Sequence, residues 1–351
     1  PCKWHGVKPF DPETGGKPSP VKTEATAETA AAAEPPPPPA PSYTAAFAEA
    51  LIDVAERRPE VVAITAAMAT GTGLDKFGKA FPNRMYDVGI AEGHGVTFAA
   101  GLATQGVRPV CAIYSTFLQR AFDHIIHDVA LQHLPVVFAL DRAGLVGADG
   151  PTHHGTFDIS YLRMVPGMVI GAPKDADELA DLLETGLSQV EHPFAVRYPR
   201  GNAPGPRTRE ARTIPIGSWE VLEGQDEDSA DVALLAVGAM VPLARDVAAR
   251  LREAGRSVRL VNARFVKPLD LEELGRAAGC RLVVTLEEGA LAGGFGSGVH
   301  EASVQEGLGL SAKLHHEGIP DRFVSHGTRE QLFADIGLEP EAIAERILGR
   351  L

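Results

Sequence analysis

Residues 109–141 read PVCAIYSTFLQRAFDHIIHDVALQHLPVVFALD, and this stretch decides the fold. Pro109 to Tyr114 is a short charge-free run of the kind a doubly buried strand shows. A helical pattern follows from Phe117 to Leu131, and Pro135 to Asp141 is apolar again, ending on an acid. Strand, helix and strand in this order make a crossover unit, which joins parallel neighbours.

Outward from this unit the rhythm continues. Upstream, Ser42 can cap a helix with Phe47, Ala50, Leu51 and Val54 on one face, before a strand-like run, Val61 to Thr65. Met85 to Gly89 reads as a strand and Glu92 to Thr104 as a helix. Downstream come a strand at Met168 to Ala172, a helix at Asp175 to Val190 and a strand at Phe194 to Tyr198. Pro199 to Pro215, rich in Pro, Gly and Arg, marks an internal boundary. The alternation restarts with strands at Val232 to Val237, Val258 to Asn262 and Leu282 to Leu286. The helices between and after them are Val241 to Ala254, Leu269 to Ala278 and Gly296 to Gly307. The expected fold class is α/β, with two doubly wound domains at 43–205 and 206–351. Residues 1–42 lack hydrophobic periodicity and contain the unbroken run Pro35 to Pro39, the composition of an extended linker.

Composition excludes several classes. The 351 residues carry 33 Lys and Arg against 46 Asp and Glu, a net charge of −13. Such a balance disfavours non-specific nucleic-acid binding, which requires clustered cations to displace counterions. No apolar run approaches the length of a membrane span. Cys2, Cys111 and Cys280 are too few and too scattered for a disulfide framework, so the default compartment is the reducing cytoplasm. The first residue is Pro1, and the chain opens as though a longer protein continued before it.

In open parallel sheets, ligands bind beyond the carboxyl ends of the strands. The loops there hold the candidates. Glu92 follows one strand and opens a helix. Tyr114 closes the next strand, with Phe117 and Arg120 just beyond it. The loop from Arg142 to Gly155 carries Arg142, Asp149, His153 and His154 among four glycines, and Arg200 follows the strand ending at Tyr198. Arginine and histidine bind phosphate and carboxylate, and histidine also moves protons near neutral pH. His124 and His127, one helical turn apart, lack a third neighbouring ligand, so no metal site is expected in this chain. Gly293-Gly294-Phe295-Gly296 reads as a tight turn before a helix.

These loops carry a resemblance. Tyr86-Asp87-Val88-Gly89-Ile90-Ala91-Glu92 and Val96 to Ala103 are similar to the pyrimidine-binding domain of thiamine-diphosphate enzymes. Ala112 to Asp123, Asp141-Arg142-Ala143-Gly144, Gly147-Ala148-Asp149-Gly150, Thr152-His153 and Arg197 to Asn202 narrow the match. With Asn262 to Pro268 and Gly318 to Phe323, they closely resemble the 1-deoxy-D-xylulose-5-phosphate synthase family, from about Tyr43 to the C-terminus. Trp4-His5-Gly6 to Pro12 weakly resembles that family's connector. The resemblance implies a transketolase-type transferase that condenses pyruvate with D-glyceraldehyde 3-phosphate, releasing carbon dioxide. It implies that Glu92 bonds the cofactor's aminopyrimidine ring, where a carboxyl group promotes the tautomer that accepts the thiazolium proton. Phe117 would stack on that ring, with Tyr114 beside the substrate. Arg120, Arg142 and Arg200 would contact substrate anions, and Asp149 and His153 would line the site, His153 moving a proton or orienting the substrate. A homodimer is the implied assembly.

Two departures qualify the resemblance. The family commonly has Ala-Glu-Gln-His-Ala at the catalytic acid, whereas this chain has Ala91-Glu92-Gly93-His94-Gly95. Two glycines in a first helical turn cost rigidity. The family's first domain also holds the diphosphate through Mg2+ at a Gly-Asp-Gly motif, and no Gly-Asp-Gly occurs in these 351 residues. The expected portion is therefore the second and third domains, inactive alone. Two other readings stand beside it: a β-type subunit of a two-chain 2-oxo acid dehydrogenase, and a non-catalytic binding half.

Overall fold

The structure is a computed structural model describing residues 40–189, 191–225 and 229–351. Most of the expected linker, and Val190 at the end of an expected helix, lie outside the described residues.

Among the described residues, twelve strands form two sheets. The first six are β1 (Val61–Thr65), β2 (Met85–Asp87), β3 (Arg108–Tyr114), β4 (Val137–Asp141), β5 (Val169–Gly171) and β6 (Phe194–Arg197). The rest are β7 (Glu220–Glu223), β8 (Val232–Ala236), β9 (Val258–Asn262), β10 (Phe265–Lys267), β11 (Leu282–Ala290) and β12 (Leu314–Ile319). The first sheet runs β10-β5-β6-β4-β3-β1-β2, and the second β12-β11-β8-β9-β7. Each is parallel but for one edge strand: β10 pairs antiparallel with β5, and β7 with β9. Both sheets are the doubly wound α/β type that the alternation implies.

The sheets are not independent. β10 lies in the second half of the sequence yet closes the edge of the first sheet, with Phe265 opposite Gly171. Phe265 and Phe194 pack edge to face at 6.4 Å, and the Trp219 indole donates to the Phe265 carbonyl at 2.8 Å. Alternation within a strand serves two cores. Ala233 and Leu235 of β8 join an apolar core continuous with that of the first sheet. Val232 and Leu234 face the other way, onto Val247 and Leu251 of the helix Val241–Glu253 and Ile343 and Ile347 of Pro340–Leu348.

Two expectations need correction. The continuous helix expected over Phe117 to Leu131 is broken: Ser115–Leu118 is α-helical, Gln119–Ala121 tightens to a 3-10 turn, Phe122–His124 returns to α, and Ile125–Ala130 widens to a π-helix. The wide turn is closed by the Leu131 N–H on the Ile126 carbonyl, five residues back, at 2.9 Å. Periodicity alone cannot register one extra residue per turn, and such insertions concentrate at functional sites. The expected strand Met85 to Gly89 ends at Asp87, whose carboxylate accepts the Ala67 and Gly89 N–H groups at 2.8 and 3.0 Å and so turns the chain.

At the carboxyl edge of the first sheet, Arg197 of β6 makes a two-pronged bond to Asp158, Nε to Oδ2 at 2.9 Å and Nη2 to Oδ1 at 3.2 Å, and Nη2 also donates to the Glu288 carbonyl at 3.0 Å. Asp158 and Arg197 are 1% and 6% exposed. Removing one member strands a buried charge, so Asp158→Ala should lower unfolding free energy by about 3–5 kcal/mol in urea melts. A loss under about 1 kcal/mol would show that water, not Asp158, satisfies Arg197.

Candidate active site

The catalytic candidates gather where β3, β4 and β6 end. Glu92 opens the helix Glu92–Ala103 and is 4% exposed. Its Oε1 accepts from Arg120 Nη1 at 2.6 Å. The second oxygen has no donor among the described residues. The two glycines of this turn have a packing reason. A Cβ on Gly93 would stand 2.6 Å from the His124 ring, so the imidazole fills the space a side chain would take. A Cβ on Gly95 would press Val88 at 3.3 Å. Close packing thus restores part of the rigidity that glycine gives up.

From Glu92 a chain of contacts runs across the edge. The Arg120 guanidinium lies 5.0 Å from the Phe117 ring centre. Phe117 stacks on Tyr114 at 5.6 Å and 15°. Its other neighbour is His153, edge to face at 5.4 Å. Arg142 covers Tyr114 at 3.8 Å. The structure therefore brings Glu92, Tyr114, Phe117, Arg120, Arg142 and His153 into one connected group. Asp149 and Arg200 form an ion pair in which Arg200 also donates to the Val146 carbonyl at 3.2 Å. They couple to the group through space: Arg142, Arg200, Asp141 and Asp149 all act on the Tyr114 phenol, whose pKa burial pushes up to about 12.

All three arginines expected to meet substrate anions already have a carboxylate partner, in Glu92, Asp141 and Asp149. A guanidinium has five donors, so it can keep one partner while binding another anion.

Asp141, closing β4, was not among the expected site residues. Its Oδ1 accepts from Arg142 at 3.0 Å and its Oδ2 from the Thr44 hydroxyl at 2.7 Å, while Arg142 also donates to the Gly71 carbonyl at 2.8 Å. These bonds hold Arg142 at φ +60°, a conformation unusual for a side-chain-bearing residue. The signal was an acid at the carboxyl end of a buried strand. The turn Gly293 to Gly296 does receive an anion, but an internal one. The Phe295 and Gly296 N–H groups both donate at 2.8 Å to Glu287, whose pKa burial pushes up to about 7. The adjacent histidines divide: His153 faces Phe117, and His154 is buried in the loop.

The sequence pattern of the transketolase pyrimidine-binding domain matches residues 39–206, and that of the transketolase C-terminal domain matches residues 223–343. The chain belongs to the transketolase-like family. It is 51% identical over 98% of its length to 1-deoxy-D-xylulose-5-phosphate synthase 1 of Geobacter sulfurreducens, covering 51% of that protein. It is 49% identical over 99% of its length to the synthase of Aquifex aeolicus, covering 52%. The chain thus spans about half the length of the curated relatives it matches. Among solved structures it is similar to a split-gene transketolase described as an inactive beta4 tetramer, with a TM-score of 0.78 and 28% identity over 89% of this chain and 98% of that one. A Pichia stipitis transketolase shares the fold, with a TM-score of 0.69 at 18% identity over 90% of this chain and 46% of that one.

Burial pushes the Asp141 carboxyl from its ordinary 3.8 up to about 6. An acid whose native pKa is raised holds its proton more tightly when folded. The stability it confers is complete below its unfolded pKa and is lost as pH rises through the native value. Relative to Asp141→Asn, the wild type should therefore lose about 2 kcal/mol of unfolding free energy between pH 4 and 7. Parallel denaturant melts test this; a flat difference would mean that Asp141 is ionised throughout.

Proposed function

We propose that this chain forms the pyrimidine-binding and C-terminal part of an enzyme that condenses pyruvate with D-glyceraldehyde 3-phosphate to 1-deoxy-D-xylulose 5-phosphate and carbon dioxide. The observation that carries this reading is the contiguous group from Glu92 through Arg120, Phe117 and Tyr114 to Arg142 and His153, in a chain about half identical to named synthases. The donor set fits the pyrimidine end of thiamine diphosphate. That end needs a carboxyl group at a ring nitrogen and an aromatic face, and Glu92 and Phe117 supply them. When bound, the cofactor supplies a thiazolium carbon able to add to a keto acid.

The chain's own residues would do the following. Glu92 holds a hydrogen bond at the pyrimidine nitrogen, and Arg120 fixes the Glu92 side chain through Oε1. Arg142 and Arg200 bind the phosphate of the aldehyde while retaining their acid partners. Tyr114 walls the substrate, Asp149 lines the site, and His153 orients the substrate or moves its proton. The diphosphate and its Mg2+ would be held by residues outside these 351, since no Gly-Asp-Gly is present. The division at 43–205 and 206–351, a homodimer and a cytoplasmic location belong to the same proposal.

A second reading is favoured by one observation. The split-gene transketolase chain is matched over 98% of its length, which supports a two-chain assembly whose other subunit brings the diphosphate site.

Purified alone, the chain should give no product; supplied with a diphosphate-binding half, it should turn over. Steady product formation by the 351 residues alone would overturn the division of the cofactor site. In the assembled enzyme, Glu92→Gln should lower kcat by about a hundred- to ten-thousand-fold with an unchanged thermal melt. Retention of wild-type turnover would remove Glu92 from its role.

A further inference from the structure

Glu288 stands near the carboxyl end of β11, in the second sheet, and is 3% exposed. Its carboxylate serves the substrate loop in the other half of the chain. Oε1 accepts the Leu145 N–H at 2.8 Å. Arg329 grips both oxygens, Nε to Oε1 at 3.3 Å and Nη2 to Oε2. The Glu288 carbonyl meanwhile accepts from Arg197. Gly144 lies directly against the carboxylate: a Cβ there would stand 2.4 Å from the carboxyl carbon, and its φ of +85° favours glycine independently.

A second tether lies a few residues along. His154 Nδ1 accepts the Val146 N–H at 3.1 Å, and Nε2 meets the Ser325 carbonyl at 2.9 Å. Both bonds are satisfied only by the neutral tautomer carrying its proton on Nε2. The loop backbone also lies close on the same segment. A Cβ on Gly147 would come within 3.3 Å of the Gly327 carbonyl oxygen, and one on Gly150 within 3.1 Å of the His326 Cβ. The loop between Arg142 and Gly155 is therefore pinned along one side by Glu288 and by residues 325–329.

We propose that Glu288 is a positioning residue: with Arg329 and His154 it fixes the Arg142 to Gly155 loop, so that Arg142, Asp149 and His153 are presented to the phosphorylated substrate as one unit. What the loop binds rests on the reading above; how it is held rests on the geometry alone. A carboxylate suits the task because it accepts from a loop amide and a guanidinium together, and the charged acceptor makes the amide bond stronger than a neutral one would. Arg329 supplies the countercharge that makes its burial tolerable.

Hydrogen exchange followed by mass spectrometry on the 351-residue chain tests the hold without any substrate. Glu288→Gln should speed exchange across Gly144 to Val146 by about tenfold or more, with the strands Val232–Ala236 and Val258–Asn262 unchanged. His154→Asn keeps an acceptor for Val146 but loses the Ser325 tether, and should loosen the same loop. Wild-type loop exchange in either variant overturns the proposal. If Glu288→Gln loosens the whole chain, His154→Asn alone decides by the same criterion. In the enzyme assembled with its diphosphate-binding half, Glu288→Gln should raise KM for D-glyceraldehyde 3-phosphate by about tenfold and leave KM for pyruvate unchanged. An equal rise in both would mark a general structural role and overturn the positioning claim. A wild-type enzyme without synthase activity would instead refute the functional reading, leaving the exchange result to stand.

Discussion

The Asp158–Arg197 pair is the interaction on which the rest depends. Arg197 ends a strand of the first sheet, Asp158 opens the helix Asp158–Arg163, and the Glu288 carbonyl comes from the second sheet. A buried guanidinium left without protein acceptors costs free energy, and Arg197 directs Nε and Nη2 to acceptors on two other segments. Satisfying Arg197 therefore obliges three distant segments to meet at the strand ends. The same junction fixes where the Arg142 to Gly155 loop must pass, since Gly155 is followed by Thr156, whose carbonyl accepts the Ala290 N–H at 2.8 Å.

Around that junction the protein buries acids densely. Asp141, Asp158, Glu287 and Glu288 are all buried near the carboxyl ends of strands, and they are tolerated in three ways. Asp158 and Glu288 have arginines, Glu287 has two backbone amides, and Asp141 has Arg142 with a threonine hydroxyl. For Asp141 and Glu287 desolvation outweighs the bonds, and both carboxyls are pushed upward. The site is thus assembled at a cost in stability near neutral pH, and what it gains is orientation: Arg142 stays over Tyr114 only because Asp141 and the Gly71 carbonyl hold it there.

Much of this was legible in the sequence because the signals were local. The apolar runs of the central strands are bounded by polar residues, and the strand-end rule points to the loops that carry Glu92, Arg120, Arg142 and His153, whereas Tyr114 and Phe117 are singled out by the resemblance. Three features were not legible for physical reasons. The π-turn at Ile125–Ala130 shifts hydrogen bonds by one residue without altering composition. The strand Phe265–Lys267 is too short for periodicity, and its pairing across the two halves is a tertiary fact. The strand expected at Leu282 to Leu286 stops short of Glu287 and Glu288, although β11 continues to Ala290 and carries both into the interior. The partners of Glu288, Leu145 and Arg329, are 143 and 41 residues away, which no window centred on it contains.

Glu288 also clarifies what the C-terminal half contributes. The cofactor and substrate residues expected from the sequence all lie in the first expected domain, 43–205, which would leave the second sheet a scaffold at most. Yet the Leu145 amide points to a carboxylate from β11, and His154 to a carbonyl from the segment after β12. The loop closes on itself where the Gly144 and Gly155 N–H groups each donate to the other's carbonyl, at 2.7 and 2.8 Å, and the Ala143 N–H donates to the Tyr198 carbonyl at 3.0 Å. The second half of the chain adds further fixed acceptors along one side. On the proposed function the two halves would act as one unit: the first brings the groups proposed to meet the substrate, and the second holds the loop that carries three of them.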